Sequence, residues 1–182
     1  MKNSTGTFCF AARVLHWLMA VMIVAMLFIG VGMVASVSAR HTWLVSIHKP
    51  LGIAILILVV VRLAVRLRNP PPPLPDDLPL LQKFAAHASH WVLYALMIAM
   101  PLVGWAMLSA GGYPVMLGES LRLPSIVPAS PVAFAVLRHL HTWLALALFF
   151  TFIAHMAAAL YHGLIRRDGV LDSMAGSKHA NM

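Results

Sequence analysis

Hydrophobic positions along this chain neither alternate nor recur every third or fourth residue. They run almost unbroken in four blocks, Trp17–Ala35, Trp43–Val61, Trp91–Ser109 and Trp143–Tyr161. Each block is 19 residues long, and only the second contains a cation, Lys49 near one end. At about 1.5 Å per residue, a helix of that length crosses a hydrocarbon core of about 30 Å. The pattern predicts four membrane helices, extending to about 11–36, 43–68, 84–110 and 133–165, with a tail over 166–182. Four spans leave no room for a separate soluble domain. The expectation is an all-α integral membrane protein, residues 1–182 forming a single membrane domain, a four-helix bundle.

Composition agrees. Of 182 residues, 61% are hydrophobic and 10% charged, far from the balance of a soluble domain. Ala35-Ser-Val-Ser-Ala39 after the first block looks like a signal-peptide cleavage site, but the apolar stretch exceeds a signal core of about 7–15 residues. It reads as a retained helix.

The net charge of +8 is mostly a topology signal. Four spans put the N-terminus, the second loop and the C-terminus on one side. Nine cations fall there: Lys2, Arg13, Arg62, Arg66, Arg68, Lys83, Arg166, Arg167 and Lys178. The other side holds four, Arg40, Lys49, Arg122 and Arg138, with Glu119 as its acid. Both termini are therefore expected in the cytoplasm. The cations flank spans and form no soluble basic face, which argues against nucleic-acid binding.

The second loop, from Asn69 to Pro79, is proline-rich and expected to be extended. The outer loop over 111–131 is rich in Gly, Pro and Ser, fit to cover the outer face. Cys9 is the single cysteine, so neither an internal disulfide nor a Cys-x-x-Cys-His attachment for covalent haem exists.

Histidine is the chemistry inside these spans. His141 and His155 are 14 residues apart, within about 40° of one another around a helix and about 21 Å apart along it. Imidazoles inside a membrane are costly and mark function more often than packing. Topology supplies each with a partner at equal depth: His48 meets His141 near the outer surface, and His16 meets His155 near the inner one. Two imidazoles on opposite faces of a porphyrin give a six-coordinate haem suited to electron transfer. Zinc at either level would need further ligands, and no nearby cysteine or carboxylate supplies them.

The same 14-residue step runs from His16 to Gly30 and from His48 to Arg62. Gly30 would then leave room for the outer porphyrin, with Gly32 and Gly52 helping; ordinary small-residue packing is the competing account. Arg62 would neutralise a propionate of the inner haem, or simply snorkel to the cytoplasmic surface.

Arg13-Val-Leu-His16-Trp17, His48-Lys-x-Leu-Gly52-Ile, Val61-Arg62-Leu-x-x-Arg66, the proline run, Ala86-His-Ala-Ser-His90 and His155-x-Ala-Ala-Ala-Leu-x-His162 together resemble the bacterial cytochrome b561 family. The resemblance covers about residues 10 to 175. It implies four membrane helices, two non-covalent b-type haems as cofactors, His16, His48, His141 and His155 as iron ligands, and electron exchange with ubiquinone. One branch of that family is a superoxide oxidase, passing electrons from superoxide outside to ubiquinone. The longer outer loop over 111–131 departs from that branch.

His87 and His90 share a face of the third helix, and either is an alternative inner ligand to His16. His162 lies seven residues beyond His155 on the same face; the resemblance implies a quinone role there, against the plainer account of a surface histidine. Arg62 and Arg66 would converge with it at the inner haem's edge. His41 and His139 are expected to meet solvent, and His179 to fall in a disordered tail. The outer cations would favour an anionic donor such as superoxide, or an acidic periplasmic redox partner. Three functions remain open: a redox enzyme between an outer donor and ubiquinone, a haem-bearing membrane anchor of a larger dehydrogenase, and a haem-free membrane protein.

Overall fold

The computed structural model describes residues 6–117 and 121–176. Lys2, Glu119, Lys178 and His179, to which sequence reading assigned a side or a role, lie outside the described residues.

Four long helices follow the four apolar blocks. They are α1 (Phe10–Val34), α2 (Ala39–Arg68), α3 (Leu80–Ala110) and α4 (Pro131–Leu160). All four are long and apolar enough to cross a membrane. The helices begin where the chain supplies caps. Ser38 accepts from the Arg40 N–H at the start of α2, and Ser130 accepts from the Ala133 N–H at the start of α4, with Pro131 in the first turn. Asn69 ends α2, and Pro70 directly after it cannot continue the helix.

The helices form two antiparallel hairpins, α1 with α2 and α3 with α4, joined through α2 against α3. Helix α4 makes its close backbone approach to α3 and stands off from α1 and α2. The packed centre is made of Met19 and Ile23 on α1, Ile55 and Val59 on α2, Tyr94, Leu96 and Met97 on α3, and Leu148 on α4. Leu148 is midway between His141 and His155, so this apolar layer separates the two histidine levels.

Two regions hold more structure than the apolar pattern suggested. In the outer loop, β1 (Val115–Leu117) pairs antiparallel with β2 (Leu121–Leu123), Val115 opposite Leu123. Strand β1 lies near α2 and α3, and Val115 is buried. The Trp105 indole N–H donates to the Pro124 carbonyl at 2.9 Å, and the Ile126 N–H donates to the Ser109 hydroxyl at 3.2 Å. The loop is thus fastened to the end of α3.

The second region follows α4. The chain widens into a π-helical turn (Tyr161–Arg166), reverses at Arg167, whose φ is 52°, and at Gly169, whose φ is 81°, and returns as α5 (Val170–Ala175). Helix α5 packs on the π turn. Gly163 makes this approach feasible: a Cβ there would run into the Leu171 side chain. Phe8 N–H donates to the Ser173 carbonyl and Trp17 Nε1–H to the Met174 carbonyl, which ties the returning segment to the start of α1.

Candidate functional site: two histidine pairs and a His–Asp contact after the fourth helix

His48 lies beside His141 and His16 beside His155, the juxtapositions that equal membrane depth predicts. The His48 and His141 ring centres lie 6.2 Å apart with planes at 67°. The His16 and His155 ring centres lie 6.3 Å apart with planes at 68°. All four side chains are partly buried in the bundle. A metal–imidazole bond is about 2 Å and a ring centre lies about 1 Å beyond its nitrogen, so two trans imidazoles on one metal place their centres about 6 Å apart.

Among the described residues, no three His, Cys, Asp or Glu side chains converge into an ion cluster. Each level offers two axial donors, the set that a planar tetrapyrrole completes. Three further observations fit such a group. Helix α4 stands off from α1 and α2 while its histidines bridge the gap. The Nδ1 atoms of His48 and His141 are buried without a hydrogen-bond partner; the Met100 carbonyl approaches the His141 ring outside hydrogen-bond geometry. A Cβ added at Gly30 would meet nothing within 4 Å, so open space lies beside α1 there.

The other glycines behave differently. A Cβ at Gly32 would sit 3.0 Å from Leu44 Cδ1, so Gly32 serves the packing of α1 on α2. Gly52 has only an ordinary contact with Met26. Gly104 on α3, which sequence reading did not single out, lies against His141: a Cβ would come within 3.2 Å of the imidazole Cε1. Its absent side chain lets that ring lie on α3.

At the inner level, Arg62 Nη2 donates to His16 Nδ1 at 2.8 Å. The guanidiniums of Arg62 and Arg66 both lie 5.6 Å from the centre of the Tyr94 ring. A guanidinium only donates, so the neutral His16 ring accepts at Nδ1 and carries its hydrogen on Nε2. Metal binding through Nε2 requires that hydrogen to move to Nδ1 and Arg62 to let go, which frees a cation for an anionic partner.

His90 also reaches His155, ring centres 5.3 Å apart. His87 is exposed and bonds the Lys83 carbonyl of its own helix at 2.8 Å. His139 is exposed, as expected. His41 is not left to solvent: it is half-buried, with Nδ1 3.0 Å from the Met33 carbonyl, joining the end of α1 to the start of α2.

His162, in the π turn, contacts an acid that helical spacing does not reveal. Its Nδ1 is 2.7 Å from Asp168 Oδ2. Arg166 Nε donates to the same oxygen at 2.9 Å, and Arg166 Nη2 donates to Asp77 Oδ2 at 2.7 Å. Burial alone would raise the Asp168 pKa. The hydrogen bonds from His162, the Val170 N–H and Arg166 outweigh burial and hold the carboxyl below its ordinary value.

Comparison with known proteins bears on these groups. The family model described as prokaryotic cytochrome b561 matches residues 8–177. The chain is 30% identical over 170 residues to cytochrome b561 homolog 2 of Escherichia coli (strain K12), covering 91% of this chain and 89% of that protein. It is 35% identical over 137 residues to the probable superoxide oxidase CybB of Yersinia pestis, covering 75% and 77% respectively. Similarity to cytochrome b561 homolog 1 of E. coli (strain K12) is 30% over 136 residues, covering 74% and 76%.

Proposed function

The chain belongs to the prokaryotic cytochrome b561 family, a multi-pass b-type cytochrome of the bacterial inner membrane acting in electron transfer, and from that premise we propose that it carries electrons from a donor outside to ubiquinone inside. Both termini lie in the cytoplasm. The observation that supports this reading most directly is the pair of matched imidazole separations, 6.2 and 6.3 Å, at two levels 14 residues apart along α4. Two haem b groups, when bound, each accept and release one electron and so link the two faces.

The protein's own residues do the rest. His48 and His141 would hold the outer haem, and His16 and His155 the inner one, through their imidazole nitrogens. Gly30 clears space on α1 for the outer porphyrin. Arg62 and Arg66, stacked about Tyr94, offer cations to the inner propionates. Arg40, Lys49, Arg122 and Arg138 attract an anionic donor, which makes superoxide the favoured one. His162 hydrogen-bonds the quinone and supplies protons as it is reduced. Two superoxide ions lose one electron each to give two O2; one quinone takes two electrons and two cytoplasmic protons to give a quinol.

The test is rapid mixing of the oxidised holoprotein with superoxide, followed by a soluble ubiquinone. Haem reduction by superoxide alone, then reoxidation by quinone without a partner protein, is expected. Failure of superoxide to reduce the haems would leave this chain as a haem-bearing anchor fed by a partner dehydrogenase.

A further inference from the structure

His162 does not stand alone at the cytoplasmic edge. The π turn sets it at the end of α4, and the left-handed residues Arg167 and Gly169 fold the next acid back on it. The Gly163 contact with Leu171 keeps α5 close enough to hold that reversal. The His162 and Asp168 side chains are only 16% and 10% exposed, so their 2.7 Å contact is shielded from water. Asp168 is fully engaged: Oδ2 accepts from His162 and Arg166, and Oδ1 accepts from the Val170 N–H at 3.2 Å.

A carboxylate can only accept, so His162 donates from Nδ1. The neutral ring then has its lone pair on Nε2, the atom at which a proton can be taken up and given away. Once both nitrogens carry protons, the adjacent carboxylate balances the charge. This division of roles between an acid and an imidazole is a general device in proton transfer. Arg166 cannot itself pass a proton, because its guanidinium stays charged. It acts as a tether, holding Asp168 and reaching to Asp77, which is 73% exposed on the second loop. The charged groups on the elements around His162 are thus Arg166, Arg167, Asp168 and Asp172 on its own segment and α5, with Asp77 from the second loop. Arg167 is turned to the Leu164 carbonyl.

We infer that Asp168 is a positioning residue for quinone protonation: it fixes His162 with its hydrogen on Nδ1 and compensates the doubly protonated ring, so that Nε2 is the atom that delivers the proton. The inference rests on the reading of His162 as the quinone's proton donor. In each transfer the Nε2–H bond breaks, an O–H bond forms on a quinone oxygen, and cytoplasmic water reprotonates the ring. Two such transfers accompany two electrons from the outer donor.

The experiment is stopped-flow reoxidation of the prereduced holoprotein by a short-chain ubiquinone across pH, for wild type, His162→Ala, Asp168→Asn and Asp168→Glu. Asp168→Asn should keep both haem spectra and reduction from outside, slow reoxidation by about 10- to 100-fold, and shift the pH profile. Asp168→Glu should recover much of the rate. If His162→Ala is slow while Asp168→Asn matches wild type in rate and pH profile, the positioning role is wrong and the quinone reading stands. If His162→Ala is itself unchanged, the quinone reading falls and takes this inference with it. If Asp168→Asn and Asp168→Glu slow equally with an unshifted profile, Asp168 is only a tether. Should Asp168→Asn not accumulate with its haems, the Asp168→Glu profile decides: a shift supports the role, and no shift overturns it.

Discussion

The ring centres of His90 and His155 are 5.3 Å apart, closer than those of His16 and His155 at 6.3 Å. Proximity alone would favour His90 as the partner ligand. The separation required by a metal between trans imidazoles, about 6 Å, favours His16. His90 instead meets His155 edge-on and limits its rotation. His90→Ala is therefore expected to keep both haems and shift the spectrum or midpoint of the inner one, whereas His16→Ala should lose the inner haem. Redox titration followed by absorbance checks this. Loss of the inner component in His90→Ala, with His16→Ala intact, would exchange their roles.

Haem content is the broadest check. Pyridine haemochrome assay against protein mass should give a ratio near two per chain. His48→Ala and His141→Ala should each remove the same, outer component and spare the other. A wild-type ratio that stays at one would dismantle the pairing.

Gly104 gives a finer test of the outer level. Ala at this position places a Cβ 3.2 Å from His141 Cε1, so the ring must give by a few tenths of an ångström. Gly104→Ala should retain the outer haem with an altered midpoint, and Gly104→Leu should lose it. A wild-type outer component in Gly104→Leu would mean that His141 does not rest on α3 in the holoprotein.

His162→Ala should preserve both haem spectra and reduction by the outer donor, and slow reoxidation by ubiquinone about 10²-fold, the scale of a lost acid–base group. An unchanged rate would move the quinone site, with His87 and His90 on α3 as the next residues to vary.

Acid should release the α5 segment. The Asp168 carboxyl has a lower pKa folded than unfolded, so its contribution is fully present above the ordinary carboxylate value, about 4, and is lost as pH falls through the lower folded value. Protease sensitivity around Arg166 and Arg167 should stay flat from pH 7 to about pH 5 and rise only below about pH 4. In Asp168→Asn that acid-dependent rise should vanish. A rise centred near pH 6 would point to a different titrating group.

The spans were legible because lipid demands long unbroken apolar runs, and Trp17–Ala35 and its three counterparts have no other solution in a chain this size. Pairing of the histidine rings was legible because helix rise converts sequence number into membrane depth. Depth cannot reveal contacts made where the chain leaves regular helix. Asp77 and Arg166 meet across 89 residues of sequence, and Asp168 reaches His162 only through a π turn and two left-handed residues. Gly104 and Gly163 look like ordinary small residues until the neighbouring helix shows what a methyl group would strike. The outer hairpin escaped for a similar reason: three-residue strands carry too little periodicity to separate from a Gly- and Pro-rich loop.

The stand-off of α4 from α1 and α2 bears on how the cell makes this protein. Along that seam the backbones do not approach closely, and lipid gives two apolar surfaces little reason to choose each other over acyl tails. A pigment held between the paired imidazoles would add a cement along that seam that the apolar core does not supply. Translation and insertion would yield a bundle still open along α4, and maturation would wait on delivery of the prosthetic group. Iron-starved cells would accordingly hold more of the chain in its open, colourless form.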